Sequence, residues 1–183
     1  MKRITKIFFS CFSTLFIIYL LLPNPTFPEP PPDALQSNEP ADTETPLRKA
    51  YFTNYTREEV MIHYKDQFEK PVIFGIYLPS YRLNYPPEEA RMIIRDQTRS
   101  TFLEEIVHPF RESVYINGFK PALKKDAIYI EGKDWYQKIT VRFVPSNSLA
   151  RVAVIVLTLA LMVIVGKEWE TAIKGFLKRK KRV

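Results

Sequence analysis

The sequence is poor in the residues on which most catalytic and metal sites depend. It has one cysteine, two histidines and five glycines among its 183 residues. A single cysteine excludes an internal disulfide and a cysteine-based zinc site. So few glycines leave little material for a phosphate-binding loop, and no nucleophile-elbow motif is present. We therefore expect no cofactor and no metal, and we favour a function other than catalysis.

Excess positive charge is missing from the centre of the chain. Residues 23–148 hold 16 Lys/Arg against 18 Asp/Glu, whereas the remaining residues hold 11 against 2. The formal net charge of +7 therefore comes from the two ends. This distribution predicts no nucleic-acid partner, because such surfaces concentrate basic residues on the folded domain.

A charge-free run, residues 7–22, follows three basic residues near the N-terminus. As a helix it would extend about 24 Å, slightly less than the ~30 Å hydrocarbon core of a bilayer. That length fits a cleaved signal peptide or a short anchor. The residues from Pro23 onward offer no small-residue cleavage pattern, so we predict an uncleaved signal anchor over residues 1–22, with cleavage as the alternative. Too little apolar sequence precedes Cys11 for a lipoprotein signal, and an apolar buried cysteine is the simpler interpretation.

The second apolar segment, residues 149–166, predicts a transmembrane helix. Arg151 lies at one edge, and Lys167 and Trp169 mark the other interface. A buried core helix is the alternative, but the uninterrupted uncharged run from Val152 to Val165 beside a basic tail fits a bilayer better. Basic residues flank the outer end of each segment, so the positive-inside rule predicts two spans in the plasma membrane, cytoplasmic termini and an extracytoplasmic region over residues 23–148.

The C-terminal segment, residues 167–183, has the pattern of a membrane-surface helix. Trp169, Ile173, Phe176 and Leu177 recur at helical spacing and predict a short amphipathic continuation. The chain then ends in basic residues that should attract anionic lipid headgroups: Lys178, Arg179, Lys180, Lys181 and Arg182. These residues also suffice as a topology signal without any lipid binding.

Residues 23–46 contain eight prolines and many polar side chains. Such a composition disfavours a packed core and favours extended polyproline II structure. We expect a disordered spacer here, with a proline-rich docking ligand as the less favoured alternative.

Residues 47–145 form the one region that can fold into a globular domain. Thr56 and Glu59 predict a capping box at the start of a helix that continues to about Glu69. A buried strand is predicted over residues 72–78, and a second helix from Pro86 that continues, with a break near Arg99, to Val107. Strands are then predicted over 113–119, 127–131 and 136–144, with a hairpin turn at Gly132-Lys133-Asp134. The fold class is therefore α+β, with two helices on a short, largely antiparallel sheet between two transmembrane helices.

Three tyrosines near Pro79 are the most suggestive binding residues. Tyr77, Tyr81 and Tyr85 surround a predicted loop and are candidates for a contact surface toward a protein or glycan partner. Ordinary packing is the alternative.

Catalytic candidates are fewer. His63 and Glu59 share one face of the first domain helix, but a metal site of that type needs a second histidine. His108 lies at a predicted helix end, where a histidine is favourable with the helix dipole. The carboxylate pairs, such as Glu104-Glu105, have adjacent side chains that point in different directions. The favoured function is a membrane-anchored binding or scaffolding protein of the cell envelope; the alternatives are an envelope hydrolase that uses His63 and Glu59, and an accessory subunit of a larger membrane complex.

Overall fold

The computed structural model describes residues 3–69, 78–93 and 101–180. Residues 23–146 form one compact unit, and the segments before and after them form another. The architecture is α+β: the first unit is built on an antiparallel sheet, and the second contains two helices long and apolar enough to span a membrane.

The two long helices are α1, Arg3–Leu21, and α4, Ser148–Lys180. The 33 residues of α4 rise to a length of about 50 Å, which exceeds the hydrocarbon core of a bilayer. The predicted second span and the predicted helical continuation therefore form one uninterrupted helix. Within this unit α1 and α4 contact each other, and small side chains such as Ser10, Ser13 and Ala160 border a shared groove of about 320 Å³. Cys11 is exposed on the surface of α1, not buried as the simpler interpretation assumed.

The domain sheet has six antiparallel strands in the order β1-β2-β8-β5-β4-β3. A separate two-stranded hairpin pairs β6 with β7. The strands are β1 Leu35–Gln36, β2 Arg48–Thr53, β3 Tyr81–Tyr85, β4 Phe102–Val107, β5 Ser113–Phe119, β6 Ile128–Ile130, β7 Lys133–Trp135 and β8 Gln137–Val144. The described residues of the domain also form two α-helices: α2 Arg57–Phe68 and α3 Pro87–Ile93.

The predicted capping box begins α2. The Thr56 hydroxyl accepts a hydrogen bond from the Glu59 backbone N–H, while Glu59 Oε2 accepts one from the Thr56 N–H at 2.7 Å. One side of the helix buries Val60, Tyr64 and Phe68, the apolar residues at helical spacing. That side packs on the sheet, so local sequence signals set both where α2 begins and which way it faces.

Strand alternation divides the sheet into two faces. The covered face carries the core residues that pack beneath α2, among them Ile106, Val114, Ile116, Ile139 and Val141. The open face carries the alternate residues, among them Tyr81, Leu83, Glu105, Tyr115 and Arg142. The two faces therefore present different chemistry from the same strands.

The second predicted helix is wrong in its C-terminal part. In the described residues α3 ends at Ile93, and Phe102–Val107 is strand β4, which pairs with β3 and β5. Glu104 and Glu105 make this strand hard to recognise from the sequence, because both side chains are buried and their partners lie far away along the chain. The predicted strand at 72–78 lies, apart from Leu78, outside the described residues.

The segment predicted to be a disordered spacer belongs in part to the folded domain. Leu35 pairs with Phe52 at the edge of the sheet, and Asp33 accepts hydrogen bonds from Thr53 Oγ1 and the Asn54 N–H at 2.7 Å each. Asp42 is buried and pairs with Lys138 at 2.6 Å. Composition alone missed these contacts, because they depend on residues far away along the chain.

The predicted hairpin turn lies one to two residues earlier than expected. Glu131 and Gly132 both have positive φ, 52° and 75°, as a two-residue turn of the primed type requires. The turn joins β6 to the short β7, whereas β8 pairs with β2 and β5. The strand prediction at 113–119 is confirmed by β5, and that at 136–144 by β8.

Candidate functional site

Two of the three candidate tyrosines lie on strand β3, not in a loop. Tyr81 and Leu83 are 61% and 47% exposed on the open face, and no residue of β3 is buried. Within the described residues β3 ends the sheet, with β4 as its one partner. Tyr77 lies outside the described residues. The structure therefore places Tyr81 and Tyr85 on one face of the strand that ends the described part of the sheet, where Leu83 joins them.

Tyr85 is held by a buried carboxylate. Its hydroxyl donates to Glu105 Oε2, and Tyr115, the cross-strand neighbour of Glu105, also hydrogen-bonds to this carboxylate. Burial raises the pKa of Tyr85, and the hydrogen bond to Glu105 raises it further. The pKa of Tyr115 is raised for the same two reasons. Both phenols thus remain protonated donors, and Tyr85 is fixed while Tyr81 stays exposed.

A row of polar residues crosses the open face in register. Glu105 lies opposite Tyr115, Tyr115 lies opposite Arg142, and Arg142 lies opposite Arg48 on the neighbouring strand. The positive charge of Arg142 partly offsets the rise in the pKa of Tyr115. The row therefore changes from negative to positive charge across four strands, with exposed apolar side chains at its β3 end.

A second ionic cluster lies on the covered face. The side chain of Glu104 is fully buried, and its Oε1 accepts from Arg57 Nε at 2.6 Å and Nη2 at 2.5 Å. Arg82 Nε lies 3.1 Å from the other carboxylate oxygen, and Arg82 Nη1 lies 3.5 Å from Glu58. The two guanidinium groups are 39% and 38% exposed. The cluster joins the start of α2 to strands β3 and β4, and it presents cationic groups at the surface.

A cleft of about 360 Å³ opens beside this cluster. Arg57, Asn84, Phe102 and Ala90 line it, together with Tyr85, Pro86, Pro87 and Thr101. The Arg57 guanidinium also lies over the Phe102 ring at 5.3 Å from the ring centre, a cation–π contact. Among the described residues, the cleft offers one arginine, one amide, two hydroxyl-bearing side chains and apolar walls, which suit contact and hydrogen bonding.

The catalytic candidates have structural contacts. Glu59 belongs to the capping box, where hydrogen bonds from the Thr56 backbone and hydroxyl lower its pKa. His63 Nε2 lies 3.0 Å from the Glu29 carbonyl oxygen and 2.7 Å from Gln67 Nε2. These contacts connect α2 to the proline-rich segment, and the described contacts do not join His63 to Glu59.

His108 is a buried bridge between two parts of the backbone. Its Nδ1 lies 3.1 Å from the Pro79 carbonyl oxygen, and its Nε2 lies 3.0 Å from the carbonyl oxygen of Phe68, the last residue of α2. Its ring stacks on Phe68 at 4.4 Å. The sequence predicts His108 at the end of the second domain helix. In the structure His108 follows strand β4 instead, and the helix end that it contacts is that of α2.

The predicted membrane-surface residues belong to the end of α4. Trp169 is 66% exposed, and the helix continues through Lys178, Arg179 and Lys180. Lys181 and Arg182 lie outside the described residues. In the described part of the chain, no three His, Cys, Asp or Glu side chains are grouped as metal ligands.

Sequence reasoning missed Glu104, Glu105, Arg57, Arg82 and Tyr115 as parts of the site. The residues 102–107 carry a signal that could have found them, since a carboxylate on each face of a single strand requires a cationic or hydroxyl partner on each side. Comparison of the chain with protein-family models, curated proteins and solved structures found no match.

Proposed function

We propose that this protein is a membrane-anchored binding or scaffolding protein of the cell envelope, whose domain binds a protein partner outside the cytoplasm. The observation that carries the proposal is strand β3, in which Tyr81 and Leu83 are exposed although the strand has just one described partner strand. We call Tyr81 and Leu83, with the outer backbone edge of β3, the β3 surface.

The charge at the two ends of the chain supports the proposed placement of the domain. Both long helices are long and apolar enough to span a membrane, and basic residues flank their outer ends. The positive-inside rule then favours cytoplasmic termini with the domain between the spans on the other side. Protease added to intact cells whose layers outside the plasma membrane have been removed should cut the domain. Protection of the domain under those conditions would show that the proposed topology is wrong.

The partner that fits the β3 surface is an extended segment of another envelope protein. An outermost strand offers backbone N–H and C=O groups to an added strand, and alternate exposed side chains select its sequence. Tyr81 and Leu83 would contact apolar side chains of that segment. The Tyr85–Glu105 hydrogen bond keeps the strand in place before binding, so little ordering is needed.

The test compares charged substitutions at two exposed sites. Leu83→Asp should abolish copurification of the partner from detergent-solubilised native membranes, because it places a charge in an apolar contact. Tyr129→Asp is the matched control, since Tyr129 is 64% exposed on the separate β6–β7 hairpin.

A photo-crosslinking residue at position 83 should also join the chain to that same partner, and one at position 129 should not. Equal capture from both positions, or a partner retained by Leu83→Asp, would refute binding through the β3 surface.

A further inference from the structure

The turn between β4 and β5 has an inverted distribution of side chains. We call residues 108–112 the hairpin tip. Phe110 is 74% exposed, whereas the side chains of Arg111 and Glu112 are fully buried and lie 3.1 Å apart as an ion pair. Tips of hairpins ordinarily present charged residues to water and bury apolar ones. Here the aromatic ring faces outward and both charges face inward.

The backbone of the hairpin tip is also unusual. Phe110 has φ of 60°, a left-handed conformation that is a true outlier for a bulky residue. The tip is held in this form by hydrogen bonds from the His108 N–H to the Glu112 carbonyl and from the Arg111 N–H to the His108 carbonyl, each at 3.0 Å. Strain of this kind persists where the surrounding structure enforces it, and it is concentrated at functional positions.

The hairpin tip lies at the end of the domain where the chain enters and leaves. Arg111 Nη2 donates to the carbonyl oxygen of Pro23 at 2.7 Å, and Pro23 follows the last residues of the first apolar segment. Asn24 Nδ2 donates to the carbonyl oxygen of Ser146 at 2.8 Å, two residues before α4 begins. Both connections to the apolar helices therefore leave the domain beside the hairpin tip.

The opposite end of the domain is remote and charged. Strand β8 extends from Gln137 to Val144, so its two ends are separated by about 24 Å at the usual rise per residue. The β6–β7 hairpin precedes Gln137 and exposes Glu131, Lys133 and Asp134. The far end thus surrounds its exposed Tyr129 with charged side chains, whereas the near end presents the Phe110 ring and keeps its charged side chains buried, as expected if the near end meets a bilayer.

We propose that Phe110 inserts into the interfacial layer of the membrane that the two long helices span. The inverted tip presents an aromatic side chain to the layer where lipid headgroups meet acyl chains, and it keeps Arg111 and Glu112 out of that layer. This inference rests on the membrane anchoring in the proposed function, and it is independent of the β3 surface.

The test uses the full chain reconstituted into phosphatidylethanolamine–phosphatidylglycerol vesicles. Cys11 is the single cysteine, so Cys11→Ser gives a background for a label at Phe110→Cys or at the control Tyr129→Cys. An environment-sensitive fluorophore at position 110 should emit at shorter wavelength and lose about half its intensity to lipids spin-labelled near the headgroup. The same fluorophore at position 129 should emit as in water and keep its intensity.

The outcomes separate this inference from the proposed function. A chain that floats with the vesicles but gives a water-like, unquenched signal at position 110 refutes tip insertion alone. Equal quenching at positions 110 and 129 also refutes it, because the whole domain would then lie on the lipid. A chain that fails to float with the vesicles refutes the membrane anchoring as well. If Leu83→Asp has no effect on partner binding, binding through the β3 surface is refuted, but the quenching at position 110 is unaffected. Glycine suits the left-handed backbone at position 110, so Phe110→Gly should fold and lose no stability. The circular dichroism spectrum of Phe110→Cys is compared with that of Phe110→Gly to verify that the variant used for labelling is folded.

Discussion

Removing Arg57 should destabilise the domain more than neutralising Glu104. Arg57→Leu deletes two charge-assisted hydrogen bonds to a carboxylate with no solvent exposure and leaves Arg82 as its remaining cation. Breaking a buried pair from one side costs about 3–5 kcal/mol, and we expect the lower end, about 3 kcal/mol, since Arg82 stays in contact. Glu104→Gln leaves two arginines that are 39% and 38% exposed and can be hydrated, so we expect a loss of about 1 kcal/mol.

The free energy of unfolding can be measured by urea titration of the full chain in detergent micelles. Trp169→Phe leaves Trp135, 9% exposed in the domain, as the fluorescent reporter. With a slope of about 1–3 kcal/mol per molar urea, Arg57→Leu should lower the midpoint by roughly 1–3 M. Arg48→Leu is the matched control, because its carboxylate partner Glu44, at 3.4 Å, is 69% exposed and the pair should contribute less than about 1 kcal/mol.

A loss for Arg57→Leu no larger than that for Arg48→Leu would refute the reasoning, because Glu104 would then not depend on Arg57. A larger loss for Glu104→Gln than for Arg57→Leu would refute it equally, since the order follows from which charge is left buried. The double variant Arg57→Leu/Glu104→Gln should be less destabilised than the sum of the single variants, because the two residues interact directly.

Three further results are expected. The pKa of Glu59 is lowered by hydrogen bonds from Thr56, so the stability that this cap contributes is present above the ordinary glutamate pKa and is lost as the pH falls through the lowered value. Amide exchange at the start of α2 should therefore increase in acid. Glu59→Gln should remove that pH dependence. His108→Leu should destabilise the domain by about 2–4 kcal/mol in the same urea titration, because it removes the ring nitrogens that lie at hydrogen-bond distance from the Pro79 and Phe68 carbonyl oxygens, and a loss under about 1 kcal/mol would contradict the bridge. Gly118→Ala would place a methyl group 2.0 Å from the Phe102 ring, so we expect a loss of about 1–3 kcal/mol that Phe102→Leu relieves, and purely additive losses would contradict this contact.

The sequence predicted those elements whose signals are local. Thr56 and Glu59 are three residues apart, and the apolar spacing of α2 lies within a single segment, so the helix could be located and oriented. Strand β5 could be recognised because Val114, Ile116 and their neighbours alternate between the two faces. In each case the residues that specify the element lie within the element.

The errors occurred where the deciding partner is distant. Strand β4 lies within the predicted second helix, and the partners of its buried Glu104 and Glu105 come from α2, β3 and β5. The proline-rich segment was assigned to a spacer because nothing near Asp33 or Asp42 indicates the sheet edge that each contacts. Each of these polar side chains has a hydrogen-bond or ion-pair partner in another part of the chain, so a pattern within one segment does not reveal it.

The contact between Asn24 and Ser146 gives the domain the character of an exchangeable insertion. Its second residue, Asn24, donates a hydrogen bond to its last residue, Ser146, at 2.8 Å, so residues 23–146 begin and end at nearly the same point. A domain with adjacent ends can be added to or removed from a loop without changing the distance that the loop must span. A two-residue turn in place of residues 23–146 would therefore keep the spacing at which the flanking segments are joined. The domain and the two long helices are in this sense separable modules, and a different domain with adjacent ends could be inserted between the same pair of helices.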